Sequence, residues 1–262
     1  MRKYLLCLAR FWETALASQL EYKSNIIIEL LSFSVSLIGS IFILSLFFNE
    51  GNKLGGWTWE EALVVQGVYT FLNGIFNTFL KPNLSEIIKH VREGTLDFII
   101  LKPIDSQFCL STRTFTPGGI PEIIVGLFLA IFAATKAVNN ILFWTPLIFI
   151  LTLILGVLIL YSLWFITATT SIWFVQTLST SEVLRAFLTA GRFPSSAYPL
   201  NIRLIFTFVF PITFITTIPA EAILGKISVL NLLFSALIAL TFFLFSRIFW
   251  RYSLKNYTSA SS

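Results

Sequence analysis

Long apolar runs without a charge are the feature that most limits how this chain can fold. The longest uncharged stretch covers 45 residues, from position 137 to position 181. Apolar residues make up 56% of the 262-residue chain and charged residues only 12%, whereas about a quarter of an ordinary soluble domain is charged. So little polar surface cannot shield so many apolar side chains from water. The sequence therefore predicts an all-α integral membrane protein.

A helix that crosses the hydrocarbon layer of a bilayer, which is ~30 Å thick, needs about 20 mostly apolar residues. Segments of this kind, bounded by charged or turn-forming residues, occur six times in the sequence. The predicted spans are residues 25–48, 60–80, 118–137, 144–170, 203–220 and 228–250. They predict a single transmembrane domain over residues 1–262, with residues 81–117 as a cytoplasmic segment between spans two and three.

The uncharged stretch after Ala137 is long enough for either one span or two. Two spans would invert the orientation of everything that follows. No Gly or Pro marks a turn between Gly156 and Gly191, so one long span is the preferred interpretation.

The distribution of Lys and Arg predicts the orientation, because these residues are retained on the cytoplasmic side of a membrane. With the N-terminus inside, 15 of the 18 basic residues fall on cytoplasmic segments, including Arg185, Arg192 and Arg203. Both termini are therefore predicted to be cytoplasmic. The connections on the other side are short.

Residues 1–24 have the pattern of an amphipathic helix that lies along the inner membrane surface. Its candidate interface residues are Leu5, Leu8, Arg10, Trp12 and Glu13. Two roles remain open from the residues alone: a simple membrane anchor, or a helix that also contacts a cytoplasmic partner.

The segment at residues 81–105 contains a second predicted surface helix. Asn83 and Glu86 have the spacing of a reciprocal N-terminal cap, and Gly94 suits the left-handed conformation that ends a helix. Between them, apolar residues recur at helical spacing and form a stripe that suits a groove on a partner. Residues 95–101 are predicted to be extended and to stop at Lys102 and Pro103.

The sequence carries no pattern typical of a catalytic, cofactor or metal site. No glycine begins the phosphate-binding sequence G-x-x-x-x-G-K-[ST], which argues against ATP binding by this chain. His90 is the sole histidine, and the two cysteines, Cys7 and Cys109, are far apart in sequence. We expect no metal site, no disulfide framework and no nucleic-acid binding.

Four short motifs resemble a six-span bacterial branch of the permease subunits of type-2 ABC exporters. They are GTLDFIILKPID at residues 94–105, GRFPSSAYP at 191–199, FPITFITTIPAEAILG at 210–225 and YTSASS at 257–262. The six spans and the two surface helices fit the same family over the whole chain.

The resemblance implies a transport subunit of the cytoplasmic membrane of a bacterium, which works with a separate ATPase that carries ATP and Mg. It also implies a second permease subunit, either identical or different. The helix after span two would then be the coupling helix that contacts the ATPase. Its candidate contact residues are Leu84, Ile87, Ile88, Val91, Arg92, Glu93 and Gly94.

By the same resemblance, the first and fifth spans line the dimer interface and the substrate path. Pro219 to Gly225 would form a broken or partly re-entrant element on the outer side. The candidate residues for dimer contact or for the pathway are Ser32, Ser36, Ser40, Glu29 and Glu221. The three serines, four residues apart, form a small-residue stripe that also suits packing within one chain.

Two alternatives from other classes stay open. A carrier driven by an ion gradient needs ionisable groups deep in the membrane, and the predicted spans leave the midplane without charge. A membrane scaffold without transport activity is not excluded by apolar helices. The expected substrate is hydrophobic or amphipathic, because the predicted spans are rich in Phe, Ile and Leu.

Overall fold

The structure, a computed structural model, describes residues 8, 10–14, 23–51, 53–138, 143–174 and 178–257. These residues are almost entirely helical, as predicted. The α-helices are α1 (Lys23–Ser45), α2 (Trp59–Ile75), α3 (Lys81–Arg92), α4 (Asp97–Ile100), α5 (Ser106–Thr112), α6 (Ile120–Ala137), α7 (Thr145–Thr169), α8 (Leu178–Ala190), α9 (Leu200–Leu204), α10 (Ile218–Ile223) and α11 (Val229–Lys255).

Five helices in the described part of the chain are long and apolar enough to cross a membrane, and a sixth crossing is possible if one bent pair counts as a span. The five are Ile27–Phe48, Trp59–Arg92, Pro117–Ala137, Thr145–Ile172 and Val229–Lys255. The long uncharged stretch contributes one of these five helices.

Helices α2 and α3 form one continuous helix, Trp59–Arg92, although Pro82 lies within it. Pro82 has no N–H to donate to the carbonyl of Thr78, and that carbonyl instead accepts from the N–H of Thr116 at 3.0 Å. A wide π-turn, Phe76–Leu80, directly precedes the proline. The helix therefore passes through a residue that would ordinarily break it.

The prediction that Asn83 caps a separate helix is wrong, because Asn83 lies inside this continuous helix. Its side-chain oxygen accepts from the N–H of Thr114 at 2.7 Å, and its amide donates to the carbonyls of Phe79 and Thr114. Asn83 thus joins the helix to the segment that leads into α6. The predicted extended stretch after Gly94 is also wrong, since α4 lies there.

Helices α2 and α6 pack in close backbone contact through glycines. A Cβ atom on Gly126 would overlap the backbone of Phe71, and one on Gly67 would overlap the backbone of Ala130. Small residues at a helix crossing allow this approach, which favours association of helices in lipid, where no hydrophobic effect drives it. The pair forms the centre of the domain together with α7, against which α10 and α11 pack.

The bundle has two ends that its contacts define. At the first end, called the Trp57 end, Lys226 Nζ lies 2.7 Å from Glu61 Oε1, and Gly225 adjoins Thr145. At the opposite end, called the Asp105 end, Lys81–Arg92 packs against Thr170–Ile172, and Asp105 pairs with Arg247.

The segment Ser195–Ala197 lies at the Trp57 end, which contradicts its predicted position. The indole N–H of Trp57 donates to Ser196 Oγ at 3.0 Å, and Ser196 Oγ donates to the carbonyl of Gly55 at 2.8 Å. The distribution of Lys and Arg predicts these two segments on opposite sides of the membrane. The error arose because α8, with Glu182 and Arg185, has the composition of a surface loop but leads back along the bundle toward Trp57.

The predicted fifth span, residues 203–220, is not one straight helix. Two helical segments, Leu200–Val209 and Thr213–Ile223, meet at an angle of 80°. The break lies at Pro211, and Phe210 before it is extended, as expected for a residue that precedes proline. The resemblance places a break at Pro219 to Gly225, but Pro219 lies within α10, which ends at Ile223 before Gly225 with its φ of +69°.

The close contact of α2 and α6 predicts that Gly126→Ala will destabilise the protein. The added methyl group must displace the backbone of α2, and overpacking of this kind costs about 1–3 kcal/mol of the free energy of unfolding. The measurement is the thermal unfolding midpoint of the purified protein in detergent. Gly39→Ala is the matched control, because no atom lies within 4 Å of its added Cβ. Equal midpoints for the two variants would contradict this account of the packing.

Candidate functional site: a polar cleft and the Asp105 end

A cleft of about 610 Å³ lies between α1, the α2–α3 helix, the start of α6 and α8. On the α2–α3 helix its lining runs from Gln66 to Ser85, which corresponds to about 28 Å of helix. The lining is unusually polar for a membrane domain. Its polar residues are Glu29, Ser32, Ser36, Ser40, Gln66, Tyr69, Thr70, Asn73, Asn77, Lys81, Ser85, Thr116, Glu122, Arg185, Thr189 and Arg192.

Helix α1 directs its candidate pathway residues into this cleft. Glu29, Ser32, Ser36 and Ser40 all belong to the lining, and Ser40 Oγ donates to Gln66 Oε1 at 3.1 Å. Ser32 and Ser36 are exposed. The serine stripe therefore borders a polar space within the chain.

The carboxylate of Glu122 is held by two amides of α2 and the turn that follows it. Asn73 Nδ2 donates to Glu122 Oε2 at 2.7 Å, and Asn77 Nδ2 donates to both carboxylate oxygens at 3.0 and 3.1 Å. Glu29 lies close to Gly118, where a Cβ would collide with its carboxylate. The glycine is therefore needed to admit the Glu29 side chain.

One side of the cleft is basic. It is formed by Arg185 and Thr189 of α8 and by Arg192, which follows α8. Thr189 Oγ1 donates to the carbonyl of Arg185 at 2.9 Å. Among the described residues, no atom pairs with the buried Nε of Arg192. The charge pattern does not predict these cleft residues, because both arginines fit a cytoplasmic segment equally well. A helical pattern in the sequence does indicate their position. Leu184 and Leu188 lie on one face of α8 and are buried, and Arg185 and Thr189 lie on the other face.

The predicted coupling residues divide into a buried group and an exposed group. Leu84, Ile87 and Ile88 are buried within the chain itself, since α3 packs on α5, α7 and the turn after α7. The prediction that these three form a stripe for a partner's groove is therefore wrong. Val91 is partly buried against the same core.

The surface open to a partner lies at the end of α3 and beyond. Arg92 and Glu93 are exposed, and Gly94 has a φ of +68°, as expected for a left-handed helix end. After it, Phe98 is 71% exposed and Leu101 is 81% exposed, and Lys102 and Pro103 continue the exposed surface.

One protein-family profile matches the chain over most of its length. The profile of the ABC-2 family transporter proteins matches residues 34–261. The chain belongs to the ABC-2 transporter family. Comparisons with curated proteins and with solved structures found no match. The family consists of membrane subunits for transport rather than enzymes, and membership implies partnership with an ABC ATPase.

In this ABC-2 permease, an ion pair joins the last membrane helix to the exposed segment at the Asp105 end. Arg247 Nη2 lies 2.7 Å from Asp105 Oδ2, and Trp250 Nε1 donates to Ser106 Oγ at 3.0 Å. Asp105 also caps α5, because its Oδ1 accepts from the N–H of Phe108 at 2.9 Å. Partial burial acts to raise the pKa of Asp105, but this hydrogen bond and the Arg247 guanidinium outweigh it, so that the pKa is lowered.

The other candidate residues of the permease lie apart from the cleft. Glu221 is on α10 near the Trp57 end and is absent from the cleft lining. Of the interface helix, Leu8 and residues 10–14 are described and Leu5 lies outside the described residues. Arg10 pairs with Glu13 at 2.8 Å, and the ring of Trp12 lies 5.7 Å from that of Phe79. This short segment therefore contacts the π-turn before α3.

The ion pair at the Asp105 end predicts a pH-dependent contribution to stability. Because the pKa of Asp105 is lowered by folding, the contribution is complete above the ordinary aspartate pKa of about 3.9 and is lost as the pH falls through the lowered value. Asp105→Asn should therefore lower the unfolding midpoint at neutral pH and have progressively less effect in acid.

Thermal unfolding between pH 7 and pH 3 measures this difference. Lys255→Gln, which removes an exposed charge on the same helix as Arg247, is the control and should not show the convergence. A constant difference between Asp105→Asn and the unmodified protein at every pH would contradict the assignment.

Proposed function

We propose that this chain is the membrane-spanning permease subunit of an ATP-driven ABC exporter in the cytoplasmic membrane of a bacterium. It moves an amphipathic substrate outward, and a separate ATPase binds and hydrolyses ATP with Mg. The observation that carries the proposal is the polar cleft inside a member of the ABC-2 transporter family. Such a cleft offers polar groups a path through an otherwise apolar domain.

The proposal assigns the Asp105 end to the cytoplasm. Family membership supports an ATPase partner, and the exposed apolar residues at this end, Phe98 and Leu101, lie next to the charged end of α3. We assign the coupling contact to Arg92, Glu93, Phe98 and Leu101, with Leu84, Ile87 and Ile88 fixing α3 from inside. The Trp57 end is then the outer end, where Ser196 hydrogen-bonds with Trp57 and with the carbonyl of Gly55.

The proposal also includes a second permease subunit. Helix α1 has few neighbours and keeps an exposed apolar side that includes Leu31, Val35, Ile38 and Phe42. The adjoining Ser32 and Ser36 leave the cleft open along α1. A second copy or a related chain against α1 would complete the wall of the path.

A carrier driven by an ion gradient is the second candidate, and one observation favours it. The lining of the interior cleft includes Glu29, Glu122, Arg185 and Arg192, whereas the spans predicted from the sequence leave the middle of the membrane without charge. Transport under an imposed proton gradient, without ATP, would support this candidate and would contradict the exporter.

The exporter proposal predicts that Phe98→Ala weakens binding of the ATPase about tenfold or more, as expected when a central exposed aromatic residue of an interface is removed. Phe128→Ala is the matched control, because Phe128 is similarly exposed, at 67%, but lies on α6. The measurement is co-purification of the ATPase with the tagged permease, together with the rate of ATP hydrolysis. A permease that purifies without any ATPase, or equal retention by both variants, would overturn the assignment.

A further inference from the structure

The acidic and basic residues of the cleft differ in how far contacts within the chain satisfy them. Its lining holds three basic residues, Lys81, Arg185 and Arg192, and two acidic residues, Glu29 and Glu122. Glu122 accepts three hydrogen bonds from Asn73 and Asn77. In contrast, the ion pairs among the described residues include neither Arg185 nor Arg192.

Arg192 has a buried donor for which the described part of the chain supplies no acceptor. Its Nε is buried and makes no hydrogen bond there, although its guanidinium lies over the ring of Phe193 at 5.0 Å. Buried donors are rarely left without an acceptor, since the lost hydration is not replaced. A planar guanidinium matches a phosphate or a carboxylate better than any other common partner.

Arg185, Thr189 and Arg192 follow one another at spacings of four and three residues and all reach the cleft. They offer two guanidinium groups with a hydroxyl between them. An anionic headgroup that also carries hydroxyls would find donors and acceptors on this side of the cleft and on the serines of α1 opposite. A cationic headgroup would meet the two arginines.

The wall on the α1 side suits an apolar tail. Ile28, Phe33 and Leu37 line the cleft next to the serines, and α1 is exposed on the side away from the bundle. A molecule can therefore place its charged group in the cleft while its tail remains in the lipid beside α1. A freely soluble anion would gain nothing from this wall.

We propose that the cleft binds the anionic headgroup, phosphate or carboxylate, of an amphipathic molecule through Arg185 and Arg192. This names the substrate class of the proposed exporter and rests on that proposed function. Arg185 on α8 and Arg192 just after it act as the binding groups, while Asn73 and Asn77 hold the carboxylate of Glu122.

The test measures equilibrium binding of radiolabelled dihexanoyl phosphatidic acid to the permease–ATPase complex in phosphatidylcholine nanodiscs. We expect Arg192→Gln and Arg185→Gln each to weaken binding about tenfold or more, because each removes a charge-assisted contact. Arg192→Lys should retain part of the affinity, since it keeps the charge without the planar fork. Arg203→Gln is the matched control, because Arg203 is exposed and lies outside the cleft lining.

Two unlabelled competitors of the lipid complete the test. One distinguishes a lipid headgroup from a free phosphate, and the other distinguishes an anionic from a cationic headgroup. Glycerol 3-phosphate should compete poorly, and competition equal to that of the lipid would overturn the role of the tail. Dodecyltrimethylammonium should not displace the lipid, and displacement by it would overturn the preference for anions. Equal lipid binding by Arg192→Gln, Arg203→Gln and the unmodified complex would overturn the proposal, provided that all three melt at similar temperatures.

A variant that fails to fold is recognised by its melting curve, and Arg192→Lys then provides the test. Co-purification of the ATPase and ATP hydrolysis are measured on the same samples. A complex that couples to its ATPase but shows no preference for anions contradicts this inference alone. A permease that binds the anionic lipid but no ATPase contradicts the proposed exporter instead.

Discussion

The backbone contact between α2 and α6 is the constraint on which the rest of the structure depends. In lipid, apolar side chains gain little by packing on each other, so that close contact of the helices themselves supplies much of the attraction. Gly67 and Gly126 permit that contact at the crossing. The same approach places the start of α6 beside α2, and so brings Glu122 within reach of Asn73 and Asn77.

The polar cleft follows from this arrangement. An ionised side chain within a membrane domain is costly unless hydrogen bonds or ions compensate it, and Glu122 meets that condition through the two amides. Arg192 meets it only in part, since its Nε lacks a partner in the described chain. The cleft is therefore a space in which Glu122 is satisfied by hydrogen bonds within the chain and Arg192 keeps a donor for a ligand.

The continuous helix Trp59–Arg92 connects this cleft to the Asp105 end. It carries Gln66, Asn73 and Asn77 in the cleft and Arg92 at the exposed end. In the proposed transporter, a displacement imposed on Arg92 by the ATPase would reach the cleft through one continuous helix rather than through a loop. Pro82 does not interrupt that element because Thr116 and Asn83 supply the hydrogen bonds around it.

Hydrophobicity along the sequence was sufficient to predict a helical membrane protein, and the short motifs were sufficient to indicate its family, because both are local properties of the chain. The left-handed helix end at Gly94 was predictable for the same reason. Local rules failed where a distant residue changed the outcome: the hydrogen bond from Thr116 allows the helix to pass Pro82, and Leu84, Ile87 and Ile88 are buried by neighbours far away in sequence.

The charge pattern shows the same limit most clearly. Arg185 and Arg192 have the composition of a cytoplasmic loop, and only the packing of α8 against α7, across the cleft from α1 and α2, brings them to the cleft lining. The sequence by itself determined that the chain is a helical, apolar integral membrane protein. The tertiary structure decided which polar residues face one another inside it, because the cost of burying a charge depends on partners that sequence spacing does not reveal.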